Sequence, residues 1–227
     1  MCGTLAGMHD EVESTWPSGP VRVFDDVDAN FALRALAGPY LPWGSGSMRP
    51  AGLVEVCNDV VLNDRRNIVE LGSGVSTVLL ARLLAQRGMT HGRRLVAVEH
   101  DARWRRWVVG QLRAEGVDGD VVVVEAPLQP IGDGDGPRWY DEAAIDAAIE
   151  TIDLLVVDGP PAFAPGLGLA RHRALTVLRD RLVPGATVVL DDVERSGEQE
   201  VLRRWEHEFG LTFRHVAAAG VAIATVP

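Results

Sequence analysis

Acidic side chains stand at the ends of several short apolar runs in this chain, and these positions could do chemistry. Glu70 opens the segment Glu70-Leu71-Gly72-Ser73-Gly74-Val75-Ser76-Thr77. Two glycines let the backbone turn sharply and approach a ligand closely. The phosphate-binding version of such a turn is G-x-G-x-x-G. Here Thr77 replaces the third glycine, and a carboxylate precedes the turn. A carboxylate there repels a pyrophosphate and suits a ligand with an amine and no phosphate; the alternative is a tight β–α turn of an ordinary Rossmann-like domain. Glu99 closes Val96-Ala97-Val98-Glu99, one βαβ step further on, where an acid can accept hydrogen bonds from both hydroxyls of a ribose. Its neighbour Asp101 suits the cap of the next helix. Glu125-Ala126-Pro127-Leu128 at a third strand end is a candidate frame for a flat ring, or a plain strand-to-loop transition.

Asp158 ends Leu154-Leu155-Val156-Val157, and Gly159-Pro160-Pro161 stops that strand. Asp191 and Asp192 end Val188-Val189-Leu190. Three carboxylates on neighbouring strand ends are oxygen donors of the kind a hard cation such as Mg²⁺ takes. The residues leave an alternative open, since Arg195 can neutralise an aspartate without metal and Asp192 or Ser196 can cap the next helix. His172 follows the Asp158 loop and is a candidate general base near neutral pH, or a partly exposed helix histidine. Trp43, Trp139 and Tyr140 are candidate lids over a substrate, or plain core.

These side chains need a scaffold that brings strand ends to one edge. From residue 67 on, apolar strands (68–71, 95–99, 121–125, 154–158 and 186–190) alternate with amphipathic helices near 75–87, 101–115, 140–149, 165–182 and 197–209. Continuous apolar strands are buried on both faces, which predicts a parallel sheet between two helix layers. Strands 212–217 and 221–226, joined by a short turn, are expected as antiparallel neighbours. The fold class is therefore α/β: a Rossmann-like, seven-stranded, mostly parallel sheet with an antiparallel last strand, helices on both faces, and an N-terminal helical segment. Helices near 26–37 and 50–63 precede it. Residues 1–49 read as a leader and helical cap, residues 50–227 as the ligand-binding domain, and Gly132–Gly136 as a surface loop.

Composition narrows the partners. The 227-residue chain carries a net charge of −10, which disfavours nucleic acid and favours a small molecule. It contains no lysine, so Schiff-base or lysine-base chemistry is excluded. Two cysteines, Cys2 and Cys57, give no disulfide framework. The chain lacks a secretory leader pattern and an apolar run long enough for a membrane span, so a cytoplasmic location without a membrane partner is expected. A homodimer through the N-terminal segment is a further expectation.

Glu70-Leu71-Gly72-Ser73-Gly74, Glu99, Asp158-Gly159-Pro160-Pro161 and Leu190-Asp191-Asp192 resemble the successive motifs of class I S-adenosylmethionine (SAM)-dependent methyltransferases over roughly residues 50–227. The nearest resemblance is to bacterial small-molecule enzymes with Trp-Tyr-Asp, Ala-Arg-His-Arg-Ala-Leu and Leu-Asp-Asp-x-x-Arg-x-x-Glu segments. The catechol-type O-methyltransferases are more distantly similar. In those, acids at the Asp158 and Asp191–Asp192 positions hold Mg²⁺, and a lysine base sits three residues after the first acid, where this chain has Pro161.

The resemblance implies SAM as cofactor, with Mg²⁺ as an option at Asp158, Asp191 and Asp192. It implies cofactor contacts from Glu70, Gly72, Ser73, Gly74, Ser76, Thr77, Glu99, His100, Ala126, Pro127, Leu128 and Asp158, and catalytic roles for Asp158, Asp191 and His172. O-methylation of a small molecule follows as the expected activity. A nicotinamide-dependent oxidoreductase and a non-catalytic SAM-fold module are the alternatives.

Overall fold

The computed structural model describes residues 18–86, 92–131 and 137–227, with side chains from residue 25 onward. Cys2, most of the leader and the Gly132–Gly136 loop lie outside the described residues.

The chain opens with α1 (Ser18–Leu33), a 3-10 turn (Arg34–Leu36) and α2 (Pro50–Leu62). Then follow β1 (Asn67–Leu71), α3 (Val75–Gln86), β2 (Arg94–Glu99), α4 (Ala102–Glu115) and β3 (Val121–Glu125). A hairpin of β4 (Leu128–Pro130) and β5 (Arg138–Tyr140) precedes α5 (Glu142–Ala148) and β6 (Ile152–Val157). After a loop and the short α6 (Arg173–Leu178), flanked by 3-10 turns, come β7 (Leu182–Leu190), α7 (Ser196–Phe209), β8 (Arg214–Val216) and β9 (Val221–Thr225).

The main sheet runs β3-β2-β1-β6-β7-β9-β8, with β9 antiparallel to both neighbours, as the apolar runs predict. Alternation along the strands divides the core. Ile68, Leu95, Ala97, Leu154 and Val156 pack with α2, α3 and α4 on one face. Val69, Leu71, Val96, Leu155, Val157 and Val188 pack with α5, α6 and α7 on the other. Strand order reverses between β1 and β6, and in such sheets ligands bind at the carboxyl ends beside that point.

Register determines which residues meet there. Leu71 pairs with Val98 and Val157, and Val157 pairs with Leu190. Gly72, Glu99, Asp158 and Asp191 each follow one of those residues, so they emerge at one level. Backbone bonds extend the ladder one step past the strands: Gly72 N–H to Val98 O (2.9 Å), Asp158 N–H to Leu71 O (3.0 Å) and Asp191 N–H to Val157 O (3.0 Å).

Three expectations need correction. The first helix starts at Ser18 and ends at Leu33, with a 3-10 turn completing it. The helix expected over 165–182 is reduced to α6 and its 3-10 turns, because Pro165 and Gly166 (φ 82°) hold the chain out of a helix. Tyr140, expected to open a helix, instead ends β5, and the helix starts at Glu142. Asp141 caps α5 by accepting from Ala143 N–H (3.0 Å).

Arg82 ties the N-terminal segment down. It grips Glu115 in a bidentate pair (2.6 and 2.8 Å) and donates to the carbonyls of Leu36 (3.1 Å) and Pro39 (3.0 Å). Gly168 lies against Gly197 at the start of α7, where an added β-carbon would come within 2.6 Å of the Gly168 carbonyl oxygen. Cys57 is a buried free thiol whose pKa burial pushes up to about 12.

Candidate active site

At the switch point a cavity of about 370 Å³ opens between the glycine turn, the end of β2 and the loops after β6 and β7. That volume lies in the range of small-molecule sites, roughly 300–1,000 Å³. Its walls include Gly72, Ser73, Glu99, His100, Tyr140, Asp158, Arg171 and Asp192.

Gly72 adopts φ 94° and lies so close to the Asp158–Gly159 backbone that an added β-carbon would sit 3.4 Å from it. Ser73 donates to Glu99 Oε2 from its N–H (3.1 Å) and hydroxyl (2.9 Å). Asp101 N–H donates to Glu99 Oε1 (2.8 Å), and His100 Nδ1 lies 3.0 Å from the same oxygen. Burial opposes ionisation of Glu99, but the bonds from His100, Asp101 and Ser73 outweigh it and hold its pKa below the usual value. Trp104 donates from Nε1 to Ser73 O (2.7 Å), clamping the turn from α4. Asp101 caps that helix as expected, accepting from Arg103 and Trp104 N–H (2.7 and 2.8 Å).

Glu70 alternates with Val69 and Leu71, so it points to the α3 face and is fully buried beneath the turn. Thr77 donates its hydroxyl to Glu70 Oε2 and accepts from Gly74 N–H (2.9 Å), so the threonine in place of a third glycine ties the acid to the turn. Burial pushes the Glu70 carboxyl up to about 7, against hydrogen bonds from Ser76 and Thr77 that favour the charge.

The acids of β6 and β7 meet. Asp158, Asp191 and Asp192 bring carboxylate oxygens within 4.8 Å of one another. Burial is the main cause of the raised pKa of Asp158, with the Asp191 charge next. Asp191 is raised to about 6 by burial and by the Asp192 charge. Asp192 sits in the left-handed region (φ 62°), which short polar residues tolerate.

Between them lies Arg171, 3% exposed, with Nη2 3.1 Å from Asp192 Oδ2 and 3.4 Å from Asp158 Oδ1. Arg171 also donates to the carbonyls of Pro160 (3.3 Å), Asp191 (3.2 Å) and Asp158 (2.8 Å). Its Nη1 lies 3.6 Å from the buried Glu198. Arg195 Nη1 is 2.6 Å from Asp192 Oδ2 on the outer side.

Sequence reasoning missed Arg171 and chose its neighbour. The imidazole of His172 contacts Glu208 (3.0 Å) and does not line the cavity, while its carbonyl accepts from Trp205 Nε1 (2.9 Å). The signal for Arg171 was its phase: it precedes Ala174, Leu175 and Leu178, all buried, at i+3, i+4 and i+7. Among the other candidates, Gly74, Ser76 and Thr77 shape the turn beneath the cavity. Ala126 gives its N–H to Glu99 O (2.8 Å), Pro127 O accepts from Asp141 N–H (3.0 Å), and Leu128 begins β4, so none of the three lines the cavity. Of the lids, Tyr140 lines the cavity and is 1% exposed, with a buried hydroxyl that has no hydrogen-bond partner. Trp139 is buried behind it, and Trp43 is not part of the wall. Phe163, 76% exposed, stands at the mouth.

Residues 69–193 match the family described as a methyltransferase domain, and the chain belongs to that family. The match runs from within β1 through the turn after β7 and holds most of the cavity's lining, with Gly46 and Arg195 contributed from outside it. Membership sets aside the nicotinamide-dependent oxidoreductase. Solved structures of similar fold include the O-methyltransferase from Bacillus cereus in complex with SAH (18% identity, TM-score 0.55, 95% of this chain and 94% of that one). Another is the O-methyltransferase TomG from Streptomyces achromogenes in complex with SAM, involved in tomaymycin synthesis (21%, 0.52, 89% of each). The SAH-bound methyltransferase PaMTH1 of Podospora anserina is a third (12%, 0.58, 100% of each). No curated protein matches the sequence significantly.

Proposed function

We propose that this methyltransferase moves a methyl group from SAM to a hydroxyl of a small-molecule acceptor. The observation that carries the reading is the common level of Gly72–Ser73, Glu99 and Asp158 around one cavity. Glu99 is ionised and suited to the ribose hydroxyls. The Gly72 turn leaves room for a ligand to lie against backbone, and the unpartnered Tyr140 hydroxyl awaits a polar group. The donor, when bound, supplies an electrophilic methyl on a cationic sulfur. SAM- and SAH-bound neighbours of the same fold support that choice, and the O-methyltransferases among them support oxygen as the acceptor atom.

The protein's own part is alignment, exclusion of water and removal of a proton. Asp158 and Asp191 have raised pKa values, which makes their carboxylates better bases than ordinary surface acids. Asp158 stands at the cavity wall and takes the acceptor's proton, with the Asp191 carboxylate within 4.8 Å of it. Phe163 and the Gly46 turn flank the acceptor's entrance.

The reading extends to a cytoplasmic enzyme acting on a free small molecule, with neither nucleic acid nor membrane as partner. The net charge of −10 supports it, as does the lack, among described residues, of a helix long and apolar enough to cross a membrane. Exposed Phe31 on α1 supports a homodimer through the N-terminal segment, which light scattering would test.

A tight ligand of the folded state must raise the melting temperature, because a hundredfold excess over Kd adds about 2.7 kcal/mol of stability. A clear upward shift with SAM is expected. No shift at millimolar SAM, with or without Mg²⁺, would sink the reading.

A further inference from the structure

Three carboxylates within 4.8 Å of one another invite a divalent cation, yet the residues around them do not fit one. Arg171 already stands among them. Its Nη2 lies within 3.4 Å of Asp158 and 3.1 Å of Asp192, and the outer face of Asp192 is taken by Arg195 at 2.6 Å. Mg²⁺ needs oxygen ligands at roughly 2.0–2.1 Å in near-octahedral array, with room for its waters. An ion bound that closely to Asp158 and Asp192 would face the guanidinium a few ångströms away, with little water between.

Nor is Arg171 free to leave. Three backbone carbonyls, from Asp158, Pro160 and Asp191, accept from Nη2, Nε and Nη1. Glu198, buried on the far side, pairs with Nη1 at 3.6 Å and with Arg195 at 3.8 Å. Withdrawing the guanidinium would leave buried carboxylates short of a counter-charge and orphan three carbonyls.

We propose that the Arg171 guanidinium is the resident cation of this site, occupying the place between Asp158 and Asp192 that a divalent metal would otherwise take. Arg171 is then a positioning residue. With its donors directed at protein oxygens, it acts through Asp158 and Asp192 and holds the former at the cavity wall. One consequence concerns the acceptor and rests on the methyl-transfer reading. A metal gathers two neighbouring oxygens of its substrate, whereas a single carboxylate base needs only one. The acceptor then needs a single hydroxyl at Asp158, with no requirement for a vicinal diol.

The metal assignment is tested without assuming SAM. The full-length protein is titrated with Mn²⁺ alone, and free Mn²⁺ is read by its paramagnetic resonance signal, with and without SAM. Wild type is expected to leave the signal unchanged at millimolar metal. Arg171→Met frees the carboxylates, lowers the melting temperature by roughly 10 °C, removes about one equivalent of Mn²⁺ and regains stability with Mg²⁺. Arg171→Lys keeps a cation in place and again excludes the metal. Binding of Mn²⁺ by wild type that is abolished in Asp191→Asn overturns the proposal. So does an Arg171→Met protein that folds and binds no metal. If Arg171→Met does not fold, the wild-type titration decides alone. A wild type that excludes Mn²⁺ but fails to bind SAM would leave this assignment standing and overturn the cofactor.

Discussion

Tyr140 lays its hydroxyl over Gly159, in the space where any larger residue at 159 would place its β-carbon. The hydroxyl is buried and unpartnered, so the folded chain holds a polar group in reserve at the cavity wall. Tyr140→Phe should leave the ligand-free melting temperature unchanged or slightly higher, since no internal bond is lost. It should weaken SAM binding about tenfold, the worth of one hydrogen bond. Calorimetric titration of both proteins checks this, and equal affinities would remove Tyr140 from the binding site.

Gly159→Ala forces a clash with that hydroxyl and with the Gly72 backbone, 3.0 Å away. Overpacking of this kind costs roughly 1–3 kcal/mol. Tyr140→Phe in the same chain should restore part of the loss, and a double-mutant cycle by denaturant unfolding measures the coupling. Strict additivity would mean that the two residues do not share the space.

Glu70 gives the protein a pH dependence with a defined sign. Its carboxyl titrates near 4.5 in an unfolded chain and is pushed up to about 7 when folded. The folded state binds the proton more tightly, so this contribution is complete below pH 4.5, fades as pH rises towards 7 and is gone above it. The whole span is at most roughly 3 kcal/mol. Glu70→Gln, which cannot ionise, should flatten that slope, and above pH 7 it should be the more stable protein. Urea unfolding between pH 5 and 8 reads both outcomes, and identical slopes would place the titration elsewhere.

The candidate bases separate cleanly. Asp158→Asn should lower kcat by a factor of roughly 10²–10⁴, the usual contribution of a positioned base, while SAM binding persists. His172→Ala should retain activity, because its ring faces Glu208. The reverse result would return the base to the imidazole.

Much of this was legible in the residues. Apolar runs ending in Glu99, Asp158 and Asp191 announced a parallel sheet with acids along one edge, because burial on both faces leaves only strand ends for charge. Periodicity could not reveal β4 and β5, three residues each, whose pairing spans a loop. Nor could it reveal Arg171, which is defined by oxygens between 11 and 27 positions away in the chain. The sequence offers His172 as a base, whereas the cation among the acids is Arg171. Glu70 was expected beside a ligand's amine, but strand alternation turns it under the loop, onto Thr77.

The contact between Gly168 and Gly197 divides the long connection after β6 into two parts with different freedoms. From Gly168 onward the chain is pinned to α7 and runs directly into Arg171, so changes there would disturb the charge cluster. Upstream, residues 161–167 carry the exposed Phe163 and are anchored at both ends, by Pro160 and by the glycine pair. On the methyl-transfer reading, substitutions confined to residues 161–167 are expected to change which acceptor enters while leaving the Arg171 cluster in place.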